Sequence, residues 1–91
     1  MAFYRGEIAF VMKSKGFLFI TEASILRMSD GKPCELRLNG DLFCHTRENH
    51  SLKLKKLTSG QILTFDICDG QRNDGSHRFI ACNADLEKVL L

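Results

Sequence analysis

Asp41-Leu42-Phe43-Cys44-His45 places a carboxylate, a thiol and an imidazole within five residues, the groups that nucleophilic catalysis assembles. In an extended strand, successive side chains point to opposite faces, so Cys44 and His45 part and no thiolate–imidazole pair is made. The chain therefore does not read as an enzyme. The four cysteines, Cys34, Cys44, Cys68 and Cys82, contain no C-x-x-C spacing, and the three histidines, His45, His50 and His77, complete no zinc pattern. Free thiols are the favoured reading, ahead of a disulfide and further ahead of a metal. Cys44, on an inward face, then behaves as a small hydrophobe. No cofactor is implied.

The chemistry these residues do support is stacking. In 41–45, Phe43 and His45 share one face, with Leu42 and Cys44 opposite. In Lys15-Gly16-Phe17-Leu18-Phe19-Ile20, Phe17 and Phe19 share a face, with Leu18 and Ile20 opposite. Two Phe at i and i+2 serve a core more often than a surface. Here both faces are apolar, and a small core uses only one. With the aliphatic set inside, four rings from two strands face solvent, beside Lys15. Flat exposed rings next to a cation suit nucleobases.

The elements that must carry these rings are short strands. Residues 3–12 read as the first, with Ile8 and Phe10 alternating with Glu7 and Ala9, and with Gly6 as a bulge or bend. Lys13-Ser14-Lys15-Gly16 is a turn that brings a strand over 16–23 back antiparallel, so that Phe10 extends the aromatic face. Residues 21–40 read as a hairpin extension of strands 2 and 3, turning at Asp30-Gly31, with a short helix over 22–28 as the competing reading. Asn39-Gly40 leads into a strand over 41–46. Residues 47–60 are a connection in which Leu52, Leu54 and Leu57 are available to plug the core. The intervening Lys53, Lys55 and Lys56 read as solvated, with phosphate contact the alternative. The strand over 61–68 turns Leu63, Phe65 and Ile67 inwards, which makes Phe65 core. A polar loop over 69–77 precedes a strand over 78–84, and 85–91 is a final turn or a tail. Five short strands without a long helix give an all-β barrel, closed because open edges invite aggregation.

Length and charge bound the rest. Ninety-one residues make a single domain, 1–91. The formal net charge of +2 is too mild to argue nucleic-acid binding by itself, so any electrostatic footprint is local. No signal-peptide core and no apolar run of membrane-spanning length are present, so the chain reads as soluble and cytoplasmic.

Gly6-Glu-Ile-Ala-Phe-Val-Met-Lys-Ser-Lys-Gly-Phe-Leu-Phe-Ile20 resembles, without gaps, the opening G-T-V-K-W-F-N-x-x-K-G-F-G-F-I of the cold-shock domain family. Asp41-Leu-Phe-Cys-His45 is similar to its D-V-F-V-H motif, Ser59 to Ile67 to its E-G-Q-x-V-x-F-E-V segment, and Ala81-Cys-Asn83 to its closing A-x-N. The resemblance implies a five-stranded antiparallel Greek-key barrel of the OB-fold, interrupted by an insertion at about 21–40. It also implies binding of single-stranded RNA or DNA. Carried over position by position, Phe10 takes the place of the family's strand-1 Trp, Phe17 and Phe19 match its first ribonucleoprotein-like motif, and Phe43 and His45 its second. Lys15 matches the motif's lysine, and Lys13 shares its turn. A protonated His45 adds charge attraction, so binding is expected to strengthen below neutral pH. Ala9 for Lys, Phe10 for Trp, Val11 and Thr46 for Phe, and Leu18 for Gly depart from the pattern, so binding weaker than in a full family member is expected.

Two functions compete. The first is a sequence-tolerant single-strand binder acting as an RNA chaperone or expression modulator. The second is a protein-interaction module, in which the aromatic face or the 21–40 hairpin meets a protein partner or a second copy.

Overall fold

Alternating apolar side chains produce strands wherever the sequence carries them with period 2. In the computed structural model these are β1 (Tyr4–Met12), β2 (Phe17–Ile20), β3 (Leu26–Arg27), β4 (Leu42–His45), β5 (Ile62–Gln71) and β6 (His77–Leu86). The structure describes residues 3–36, 38, 40–46, 49, 52–53, 56–71 and 77–87, with the backbone alone of Gln71 and His77. The expectations for Asn39, His50, Leu54, Lys55 and the last four residues lie outside the described residues.

β1 pairs with β2, β2 with β4, β4 with β6, β6 with β5, and β5 returns to β1, which closes a five-stranded barrel consistent with an OB-like fold. The expectation of an antiparallel barrel needs one correction, because β4 and β6 run parallel, with Phe43 opposite Ile80. Parity requires a parallel pair, since an odd number of strands cannot alternate direction all the way round a ring. The inner face is the aliphatic one. Ile8, Leu18, Ile20, Leu42, Leu63 and Phe65 are essentially inaccessible, and Leu52 and Leu57 close the barrel from the connection. Phe65 is core, as its strand's alternation implies.

The β1–β2 pairing contains a bulge: Ile8 faces Ile20, but Phe10 faces Phe19, so β1 spends an extra residue in that interval. Strict alternation would send Phe10 inwards with Ile8. The extra residue instead turns Phe10 out, 45% exposed, while Ile8 stays buried. Gly6 is not the bulge. It is where β1 crosses close to the core, and a Cβ there would lie 2.7 Å from Cγ2 of Ile20. Gly16 closes the β1–β2 turn with a φ of 78°, in the left-handed region that favours glycine.

Residues 21–36 do not form a hairpin that lengthens β2 and β4 together. The chain makes a 3₁₀ turn over Glu22–Ser24, buries Ile25, and then lays β3 on the edge of β1 that β2 has left. The gap between β2 and β3 is filled by Ser24, whose Oγ accepts from the Glu7 amide at 2.8 Å. The predicted Asp30-Gly31 turn is present and returns the chain to Pro33, which bridges Leu26. The Lys32 amide, followed by the Arg27 guanidinium, holds the Asp30 carboxyl below its ordinary range. Burial of Ile25 and the vacant β1 edge explain why this arm docks on the barrel wall.

β5 and β6 run beyond the expected 61–68 and 78–84, continuing as a ladder from Cys68–Ile80 to Gln71–His77. Along this hairpin Cys68 and Cys82 form a disulfide, with Cα atoms 6.1 Å apart, which overturns the free-thiol reading for these two. Cys34 and Cys44 are free. Sequence separation hides the pair, because only the β5–β6 register brings the two together. That register is itself shifted by a bulge in β6, where Asn83 takes a φ of 52°. Buried Asn49 serves the backbone near the bulge: its Oδ1 accepts from the Ala84 amide at 2.7 Å, and its Nδ2 donates to the carbonyls of His45 and Ala81.

Candidate functional site

The side of the barrel wall formed by β1, β2, β4 and β6 carries a continuous patch of rings on its outer surface. β2 and β4 lie in register, Phe17 opposite His45 and Phe19 opposite Phe43, so that their outward residues meet side by side. The bulge adds Phe10 from β1, stacked on Phe19 with centroids 5.0 Å apart and planes 30° apart. Phe17 and Phe43 are tilted at 5.2 Å, and Phe19 meets Phe43 edge-on at 5.6 Å. His45 extends the row from Phe43 at 6.0 Å. The five expected ring residues are therefore brought together, Phe10 the most exposed and the others half-buried. Mutual ring contacts of this kind stabilise by about 0.5–1.5 kcal/mol per pair, so the patch is partly preformed.

Lys13 and Lys15 are exposed in the turn at the Phe17–His45 end of this surface. Cys44 and His45 separate as alternation requires: Cys44 is buried, and burial pushes its thiol up to about 12, while His45 joins the rings. Among the described residues no cluster of three or more His, Cys, Asp or Glu could hold a metal ion, and no helix is long and apolar enough to cross a membrane.

Sequence reasoning missed one member of the site. Arg78 of β6 lays its guanidinium over the Phe43 ring, with Cζ 4.1 Å from the centroid, a cation–π arrangement. Its Nε is buried without a hydrogen-bond partner. The signal was available in principle: Arg78 and Ile80 share a face of β6, and Ile80 pairs with Phe43. Using it required the parallel β4–β6 pairing, which no local motif announces. No protein-family model matches the chain, and no curated protein matches it in sequence.

Proposed function

We propose that this protein binds single-stranded RNA or DNA by stacking bases on Phe10, Phe17, Phe19, Phe43 and His45, with Lys13 and Lys15 meeting backbone phosphates. On this reading it is a divergent cold-shock-type OB barrel acting as an RNA chaperone or expression modulator. Transient stacking competes with intramolecular pairing, so weak local structure opens without an energy source. The observation that carries the reading is the split between the faces of β2 and β4: Leu18, Ile20, Leu42 and Cys44 are buried in the core, and five rings remain outside it in one patch. Stacking on an aromatic ring contributes about 1–3 kcal/mol per base and tolerates any base.

The test is a titration of fluorescent oligo-dT and oligo-U, about 6–8 nucleotides long, against wild type and a Phe17→Ala/Phe43→Ala double variant. Low-micromolar binding by wild type and a loss of at least about 30-fold in the folded double variant are expected, from two stacking contacts. A folded wild-type protein that binds neither oligonucleotide at low salt removes the proposal.

A protein-interaction module is the second reading. It is favoured by the docked arm, which leaves Met28 48% exposed beside Phe3 at 64%. Phe3 lines a depression of about 380 Å³ together with Tyr4, Arg27, Asp66 and Ile67 among others.

A further inference from the structure

We propose that Arg78 is a ligand contact of the ring surface: its guanidinium rests on Phe43 in the free protein and passes to a backbone phosphate when a base takes its place on the ring. This rests on the single-strand reading above and adds to it a residue and a motion.

Three observations converge. The first is position. Arg78 reaches Phe43 from β6, whereas Lys13 and Lys15 stand in the β1–β2 turn beside Phe17 and His45. The rings thus lie between cations on two sides, and a strand with its bases on the rings would pass both. The second is pairing. Arg5 is committed to Glu87, and Arg27 to Asp30 and Glu35, but among the described residues no carboxylate lies within ion-pair distance of Arg78. The third is the buried, unpartnered Nε. Resting over Phe43 gains a cation–π contact but leaves a charged N–H without an acceptor, which is costly in a desolvated site. Nε with a neighbouring Nη forms the planar fork that grips phosphate with two parallel hydrogen bonds. Turning off the ring therefore satisfies the orphaned donor and uncovers a stacking face in the same movement. Lysine has no such planar fork and no stacking plane, so the two side chains are not equivalent here.

Wild type, Arg78→Ala, Arg78→Lys and Phe17→Ala would each be titrated with oligo-U and oligo-dT between about 50 and 200 mM salt. Arg78→Ala is expected to bind about tenfold more weakly, with a log–log salt slope shallower by about 0.7, the value of one phosphate contact on a single strand. Arg78→Lys should retain the slope. In wild type, the Nε–H proton of Arg78 should carry an upfield ring-current shift from Phe43 that disappears when oligo-U is added. This readout keeps the proposal testable if Arg78→Ala fails to fold. Affinity equal to or tighter than wild type in Arg78→Ala, at unchanged slope, overturns the proposal, as does a ring-current shift that persists at saturation. If Phe17→Ala loses binding and Arg78→Ala does not, the stacking surface stands and Arg78 merely covers it. A wild-type protein that binds neither oligonucleotide removes both.

Discussion

Cys44 and His45 are chain neighbours in opposite surroundings, and the difference can be measured on one of them directly. The Cys44 thiol lies in the barrel interior between Leu18 of the facing strand and the rest of the core. Burial disfavours the thiolate and moves its titration from 9.0 to about 12. Native Cys44 should therefore resist iodoacetamide at mildly alkaline pH while half-buried Cys34 is alkylated, with Cys44 modified only after denaturation; peptide mass spectrometry reads both. The linkage has a definite sign. Because the folded-state value is raised, the contribution of Cys44 to stability is fully present below 9.0 and is lost as pH rises through about 12. Between neutral pH and pH 10, wild type should lose more of its urea midpoint than Cys44→Ala does, since the other groups titrating there are common to both. Equal losses would mean that Cys44 is not held in a dry interior.

At the scale of elements, the β5–β6 hairpin is the part that short-range reading could not assemble. Asp69-Gly70-Gln71 has the composition of a loop, yet its backbone continues the ladder, and the side chain of Ile80 lies across Gly70. The Cys68–Cys82 bond staples this hairpin at a diagonal of the ladder, Cys68 lying opposite Ile80 and Cys82 opposite Asp66. Joining two cysteines separated by 14 positions in the sequence restricts the unfolded chain by about 3 kcal/mol in the chain-entropy description. A Cys68→Ala/Cys82→Ala variant should melt roughly 12–24 °C lower, from that loss and the usual sensitivity of a domain this size. A shift of only a few degrees would show that the ladder holds the hairpin unaided. The strands bearing Phe17, Phe19 and Phe43 were legible because alternation and a tight turn are local signals. The docked β3 arm, the disulfide and Arg78 were not, because each depends on a register or a bulge set by distant partners. Phe10 shows the limit most clearly. The extra residue after Ile8 turns it to the ring side, where plain alternation would bury it.

For the whole molecule, the decisive question is whether the outer rings are a second core or a surface held ready for something else. A barrel of this size has a total stability on the order of 5–15 kcal/mol, so the two faces should respond very differently to truncation. Leu18 is inaccessible, and Leu18→Ala should cost about 2–5 kcal/mol through lost burial and a cavity. That corresponds to a melting temperature lower by roughly 8–40 °C. Phe10 is 45% exposed and contacts the patch chiefly through Phe19, so Phe10→Ala should cost only about 0.5–1.5 kcal/mol. Thermal melts of the two variants, followed by far-ultraviolet circular dichroism, separate the alternatives. A Phe10→Ala protein that melts within a few degrees of wild type has given up a ring the fold does not need, and an apolar group kept at a solvent face without a folding role points to a ligand. If Phe10→Ala instead melts as early as Leu18→Ala, the rings serve stability, and the surface they form loses its claim to be a binding site whatever its geometry.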